Sequence, residues 1–226
     1  MSPPLLIAPF TALIVGPSGS GKTHLLKTLL LQEKFENCHL FFRSWQPLYC
    51  EFPSSTKFYH YDISSEIDNE GETSLETFCR EISKQGTTTI IFDDALAVTK
   101  FPCIEEIFTR LSHHLNINMF LLVQNLFEPS LRIISRNANY IFLFRCPRDS
   151  AQIRHLAFQM FPEKALAHGM MKIFKHLTQQ PYNAMLLDFK TETAEYARLK
   201  GGFIGEGGPL IYCIKGGALP PASSML

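Results

Sequence analysis

Residues 14–26 read IVGPSGSGKTHLL, and this stretch decides the fold. It contains a glycine-rich loop that joins a segment with the hydrophobic pattern of a strand to one with the periodicity of a helix. Before the loop, residues 10–16 (FTALIVG) are a short apolar run stopped by Gly-Pro, which is typical of a buried parallel strand. After the loop, leucines recur at positions 25, 26, 29 and 30, and this helical spacing predicts a helix over about 22–35. The order strand, loop, helix is the context in which a match to GxxxxGK[ST] is meaningful.

The loop residues have the chemistry needed to bind the phosphates of a nucleotide. Glycines let main-chain N–H groups turn toward a phosphate, and the N-terminus of the following helix adds a favourable dipole. Lys22 is expected to reach the β- and γ-phosphates, and the Thr23 hydroxyl to coordinate Mg²⁺. The sequence therefore predicts a site for ATP and Mg²⁺. Its nucleotide-binding residues are Gly16, Pro17, Ser18, Gly19, Ser20, Gly21, Lys22 and Thr23.

Two aspartates and a glutamine end other apolar strands. Residues 87–94 (TTTIIFDD) end in Asp93, which is expected to hold the hydration shell of the magnesium ion, and in Asp94, which is expected to polarise the attacking water. The alternative is that the Asp-Asp pair caps the next helix. Gln124 ends residues 117–125 (INMFLLVQN) and could hydrogen-bond the water or the γ-phosphate, or could simply finish the strand against solvent.

The remaining periodicity alternates between strands and helices. Such alternation calls for an α/β fold of the P-loop NTPase type, a mostly parallel sheet with helices on both faces in three layers. The separation of about 70 residues between the loop and the acidic pair indicates a further strand between their two strands. Further strands are predicted over 39–44, 57–62, 139–145 and 182–190, and further helices over 75–84, 104–115, around 131 and over 150–178.

Charge is unevenly distributed along this chain of 226 residues, whose formal net charge is zero. Residues 1–100 contain 8 Lys and Arg against 12 Asp and Glu, whereas residues 101–200 contain 12 against 8. The basic half could face a polyanion or be scattered, solvated charge. Its arginines at 132, 136, 145, 148 and 154 could contact phosphates in a channel, form ion pairs between subunits, or solvate a surface. No apolar run is long enough for a membrane span, so we expect a soluble intracellular protein.

Two later segments carry a family resemblance. Residues 108–127 (FTRLSHHLNINMFLLVQNLF) and 132–162 (RIISRNANYIFLFRCPRDSAQIRHLAFQMFP) follow the phosphate loop and IIFDD in a fixed order of motifs. The chain thereby resembles the genome-packaging ATPases of eukaryotic double-stranded DNA viruses and of Polinton/Maverick and adintovirus elements. These are relatives of the poxvirus packaging ATPase within the FtsK/HerA superfamily.

The resemblance implies a ring of identical subunits that hydrolyses ATP and translocates double-stranded DNA, without sequence preference, into a capsid. It implies capsid or portal-vertex proteins as partners and a host-cell location. It also implies an arginine finger supplied by a neighbouring subunit, for which Arg110 is the first candidate and Arg136 and Arg148 are the next. Residues 1–200 would be the ATPase domain, and the Gly- and Pro-rich residues 201–226 a tail or a short extra hairpin.

Two other functions are compatible with the same loop. One is a kinase that transfers phosphate to a small molecule, although residues 36–47 (ENCHLFFRSWQP) do not clearly supply its lid arginine and acceptor-binding acid. The other is an assembly protein that binds a nucleotide without hydrolysing it.

Overall fold

A computed structural model describes residues 4–61, 69–203 and 210–214, and within these residues the strands form one nine-stranded sheet. The strand order across the sheet is β3-β2-β4-β5-β1-β6-β7-β8-β9. The strands are β1 (Thr11–Val15), β2 (Cys38–Phe42), β3 (Lys57–His60), β4 (Thr88–Phe92), β5 (Ile117–Val123), β6 (Tyr140–Phe144), β7 (Ala184–Asp188), β8 (Leu199–Gly201) and β9 (Leu210–Ile211).

Strands β1 to β6 pair with one another in parallel, whereas β7 pairs antiparallel with β6, and β8 and β9 continue the sheet in antiparallel fashion. β1 lies near the centre, between β5 and β6, and β5 separates it from β4, as the spacing of the motifs indicated. Because β1, β4 and β5 are parallel, the phosphate loop, the acidic pair and Gln124 all follow strands at the same edge of the sheet.

The helices connect these strands over the two faces of the sheet. They are α1 (Lys22–Glu33), α2 (Asn69–Ser83), α3 (Pro102–Glu106), a π-helical turn (Ile107–Leu111) that continues α3 into α4 (Ser112–His114), α5 (Arg132–Asn137), α6 (Ser150–Met160) and α7 (Lys164–Leu177). The helical region predicted over 150–178 is thus two helices. Pro162 lacks an N–H group and disfavours helical geometry in the residue before it, so the break falls there.

Two hydrophobic cores lie on opposite faces of the sheet, and every central strand contributes alternate residues to them. In β1, Leu13 and Val15 belong to one core, and Ala12 and Ile14 to the other. Helix α1 covers the second core with its buried leucines, while α2, α3, α5, α6 and α7 cover the first. The predicted three-layer α/β/α fold with a mostly parallel sheet is confirmed.

The end of the chain adds a small antiparallel pair to the sheet. β8 pairs with β9, in the register Lys200↔Ile211 and Gly201↔Leu210. The rest of the predicted tail, residues 204–209 and 215–226, lies outside the described residues, and the division at residue 200 stays a prediction. Within the described ranges, no helix has both the length and the apolar character that a membrane span requires.

Candidate nucleotide-binding site

The phosphate loop connects the end of β1 to the start of α1. The Gly16 N–H group donates to the carbonyl of Val123 at 3.1 Å, which ties the start of the loop to the neighbouring strand β5. Gly19 and Gly21 have φ angles of 76° and 100°, and glycine adopts such left-handed conformations without steric cost. The residues predicted to bind the nucleotide, 16–23, therefore lie in one tight turn that opens directly into α1.

The loop keeps polar groups available for an anion. Helix α1 has no side-chain cap on its N-terminus, so no side chain competes with a ligand for the N–H groups of its first turn. Within the described part of the chain, the buried Ser20 Oγ has no hydrogen-bond partner. An uncapped helix start and an unpaired buried hydroxyl in the same turn fit the phosphates of a nucleotide.

The ammonium of Lys22 lies within the loop. Its Nζ donates to the carbonyls of Gly16 at 2.7 Å and Pro17 at 3.1 Å. Burial lowers the pKa of Lys22, while the charges of Asp93 and Asp94 act in the opposite direction. The ammonium therefore lies in the electrostatic field of the acidic pair, and phosphate oxygens could replace the two carbonyls as its acceptors.

Asp93 links the acidic strand to the phosphate loop. Its side chain is buried, and its Oδ2 accepts a hydrogen bond from Thr23 Oγ1 at 3.1 Å. The same oxygen accepts from Tyr49 OH at 2.7 Å and from Gln46 Nε2 at 3.2 Å. The two residues predicted to bind the metal, Thr23 and Asp93, are thus in direct contact. A hydroxyl and a carboxylate are the hard oxygen ligands that Mg²⁺ prefers.

Gln46 and Tyr49 were not predicted as site residues from the sequence. Both lie in or next to a 3₁₀ turn (Pro47–Glu51) within a segment that the sequence predicts only as a loop. No short motif marks them. The available signal is topological, because this segment follows β2 and β2 pairs with β4, the strand that ends in the acidic pair. Burial, together with the neighbouring charge of Asp93, raises the pKa of Tyr49, so its phenol stays protonated and can donate.

Asp94 adopts an unusual backbone conformation, with φ 59° and ψ 46°. Tyr61 OH lies 3.0 Å from the carbonyl oxygen of Asp93 and 3.1 Å from that of Asp94, so its single proton can be donated to either carbonyl of this turn. A left-handed conformation in a residue other than glycine is uncommon and is concentrated at functional sites. Asp94 stands at the start of the next 3₁₀ turn (Ala95–Lys100), but its side chain makes no capping hydrogen bond there.

Gln124 and Asp94 lie together at the same edge of the sheet. Gln124 Nε2 donates to Asp94 Oδ1 at 3.4 Å, and Arg43 lies 3.9 Å from the other carboxylate oxygen. The Asp94 side chain is 47% exposed, so solvent water reaches it. The arrangement places an acid and an amide beside the phosphate loop, where both can contact one water molecule. The sequence did not predict Arg43 as a site residue either.

The candidate arginine fingers lie at different places on the molecule. Arg110 is exposed and forms an ion pair with Glu106, one helical turn earlier. Its helical segment runs back from the end of β4 toward the start of β5, so Arg110 lies away from the phosphate loop of its own chain. Arg136 lies on α5 and is exposed. Arg148 is also exposed and follows β6, at the edge of the sheet that carries the phosphate loop.

Comparison with known proteins gives one matching family model and several similar ATPase structures. An AAA domain family model matches residues 11–131. The structure is similar to the genome packaging NTPase B204 from Sulfolobus turreted icosahedral virus 2 in complex with ATP-γS, with 20% identity and a TM-score of 0.58, covering 81% of this chain and 94% of that one. B204, the DNA-packaging ATPase from Sulfolobus turreted icosahedral virus, has 18% identity, the same TM-score and the same coverage.

A third similar structure is the cytoplasmic domain of the type VII secretion ATPase EccC from Thermomonospora curvata, with 18% identity and a TM-score of 0.51. It covers 93% of this chain and 29% of that one. No curated protein matches the chain. At these identities the similar structures show the fold, whereas the family model spans more than half of the sequence. The matched residues include the phosphate loop and the acidic strand β4. This chain therefore belongs to the AAA domain family.

Proposed function

We propose that this chain is an ATP-hydrolysing motor that translocates double-stranded viral DNA into a capsid, and that it belongs to the FtsK/HerA superfamily, beside the poxvirus and Polinton-type packaging ATPases. The observation that carries the ATPase part of the proposal is the 3.1 Å hydrogen bond between Thr23 and Asp93. It brings a phosphate-binding helix and an acidic strand into one site. The similarity to B204, whose chain is covered to 94%, adds support for packaging as the task.

The loop residues 16–23 and Lys22 would hold the triphosphate, with Lys22 exchanging its two carbonyl acceptors for phosphate oxygens. Thr23 and Asp93 would hold Mg²⁺, directly or through its bound water. When bound there, the ion supplies positive charge that offsets the negative charge of the β- and γ-phosphates.

Asp94 and Gln124 would act on the attacking water. The carboxylate accepts the proton of the water, while the amide, held 3.4 Å from that carboxylate, fixes the direction of the oxygen. An arginine from a neighbouring subunit would complete the site. Arg110 is exposed and lies away from its own phosphate loop, so it could act only on the site of another chain.

The basic half of the chain would contact the DNA. The described arginines at 132, 136, 145, 148 and 154 are all exposed. Contacts to phosphates give affinity without sequence preference, as a motor on DNA of any sequence requires. We further propose a homo-oligomeric ring, contacts with capsid or portal-vertex proteins, and an ATPase domain of residues 1–200 followed by a small appended segment.

The test is phosphate release from ATP, measured against protein concentration with and without linear duplex DNA. We expect the rate per subunit to rise with concentration as rings form, and duplex DNA to stimulate it. A rate that is linear in protein and indifferent to DNA would contradict the motor. With γ-labelled ATP, label on an acceptor other than water would instead indicate a kinase.

Replacing Lys22 by Ala tests the assignment of the phosphate loop in the same experiment. We expect its turnover to fall by about 100-fold or more, because a charge that acts on the phosphates is lost. Thermal unfolding should change little, since among the described residues the ammonium donates hydrogen bonds only to two loop carbonyls. Lys84→Ala, which changes an exposed lysine directly after α2, should behave like the wild type. Hydrolysis unchanged by Lys22→Ala would overturn the assignment of the site.

A further inference from the structure

An exposed tyrosine lies directly against the phosphate loop. Tyr182 is 58% exposed, yet a Cβ atom placed on Gly21 would lie only 2.8 Å from its ring Cδ1. Tyr182 comes two residues before β7, whose first residue Ala184 pairs with Phe144 at the end of β6. The antiparallel direction of β7 thus brings this turn to the edge of the sheet where the nucleotide site lies.

The backbone conformation of Tyr182 is uncommon for an aromatic residue. Its φ of 65° is in the left-handed region, which is uncommon and unfavourable for a bulky side chain. Across the described residues, its hydroxyl has no hydrogen-bond partner and its ring no aromatic neighbour. A largely exposed aromatic ring beside a ligand loop is suited to contact the ligand.

The orientation of the nucleotide points to the same place. β1 lies between β5 and β6, and the side of β5 carries Asp93, Asp94 and Gln124, where the γ-phosphate must react. The other end of the nucleotide, with its sugar and base, must therefore leave on the side of β6 and β7. Tyr182 lies on that side, in contact with Gly21, the last residue before Lys22.

We propose that Tyr182 is the base-binding residue of this site and stacks on the nucleobase of the bound nucleoside triphosphate. This inference rests on the proposed function, because it assumes that the loop binds a nucleotide. Stacking uses the π-face that every base has, so the residue would favour a nucleotide over a bare polyphosphate and discriminate little between adenine and guanine.

The experiment measures binding of ATP, GTP and inorganic tripolyphosphate to the full chain by calorimetry in the presence of Mg²⁺. Tyr182→Ala should weaken ATP and GTP about 10-fold or more, as expected for a lost base stack. Its affinity for tripolyphosphate should stay at the wild-type value, because the phosphate loop is intact. Tyr182→Phe, which keeps the ring, should bind all three ligands like the wild type.

Phe158→Ala is the matched control, since Phe158 is a partly exposed aromatic on α6 outside the loop, and it should change nothing. Unchanged ATP affinity in Tyr182→Ala would overturn the proposal. An equal loss for tripolyphosphate would also overturn it, because Tyr182 would then only support the loop. The experiment measures binding and does not depend on hydrolysis. If the chain bound ATP without hydrolysing it, the proposed motor function would be contradicted, but the binding data would still decide the role of Tyr182.

Discussion

Asp93 is the residue on which the candidate site converges, because a single carboxylate oxygen accepts hydrogen bonds from Thr23, Gln46 and Tyr49. All three donors are neutral, so they orient the carboxylate without cancelling its charge. A buried carboxylate that lost such donors would be both less fixed and more costly to keep ionised. The orientation of the acidic group toward the loop therefore depends on residues from a different part of the chain.

Replacing Tyr49 by Phe tests this dependence at the level of one hydroxyl group. Tyr49 is fully buried among aromatic rings, so the substitution removes the 2.7 Å hydrogen bond and preserves the packing. We expect the Mg²⁺ concentration for half-maximal ATPase activity to rise about three- to tenfold, and stability to fall by about 1–2 kcal/mol. Both effects are expected because the carboxylate of Asp93 would accept one hydrogen bond fewer. A magnesium titration at saturating ATP measures the first effect and denaturant unfolding the second.

Tyr59→Phe is the control for Tyr49→Phe, because the Tyr59 hydroxyl contacts His39 on β2 instead of the acidic pair. This variant should keep the wild-type magnesium dependence. Equal magnesium curves for Tyr49→Phe and the wild type would contradict a role for Tyr49 in positioning Asp93.

At the scale of elements, strands were easier to predict than the segments that complete the site. β1, β4 and β5 are continuous apolar runs because both of their faces are buried, so composition alone indicates them. The phosphate loop and the positions of Asp93, Asp94 and Gln124 followed from the strand ends. Gln46, Tyr49 and Tyr182 could not be found this way, since their contacts depend on which strands are neighbours.

β2 contains a buried histidine, His39, whose titration should affect stability. His39 stacks on Tyr59 across the strand pair, and burial, with a smaller effect of the Lys57 charge, lowers its pKa to about 4. Between about pH 6.5 and pH 4 the unfolded chain binds a proton at this site and the folded chain does not. The folded state should therefore lose stability as the pH falls through this window, by on the order of 3 kcal/mol from this group, since each pKa unit corresponds to about 1.4 kcal/mol.

His39→Phe should flatten the pH dependence, because phenylalanine preserves the ring packing and cannot titrate. Denaturant unfolding at several pH values from 4 to 7 measures the slope for each protein. His113→Gln, an exposed histidine at the end of α4, should keep the slope of the wild type. An identical slope in His39→Phe and the wild type would show that His39 is not the responsible group.

At the scale of the whole molecule, the two faces of the sheet are covered unequally. One face carries α1, and the opposite face carries α2, α3, α5, α6 and α7. On the face that carries five helices, Arg132 and Arg136 lie on α5 and Arg154 lies on α6. Arg145 and Arg148 follow β6 at the edge of the sheet that carries the phosphate loop. The sequence showed the charge asymmetry, but only the topology distinguishes Arg148, which follows β6 at the edge of the site, from Arg110, which lies away from it.

A mixing experiment tests whether Arg110 acts between subunits. In a ring where each site uses its neighbour's arginine, one Arg110→Ala subunit disables the adjacent site and stops coupled turnover. DNA-stimulated activity should therefore fall faster than the fraction of mutant subunits, to about a quarter or less at equal mixing. Arg80→Ala, which breaks a comparable exposed ion pair on α2, should cause no such loss. A strictly proportional decline would point to Arg136 or Arg148.

The alternation in β5 ties the cores to the chemistry. Residues 117, 119, 121 and 123 pack into one core and residues 120 and 122 into the other, and Gln124 follows at once. A strand repeats every two residues, so losing one residue within β5 would exchange the contents of the two cores. It would also rotate the amide of Gln124 away from Asp94. Deleting a single residue from β5 would therefore disturb the packing of both cores and the position of Gln124 at the same time.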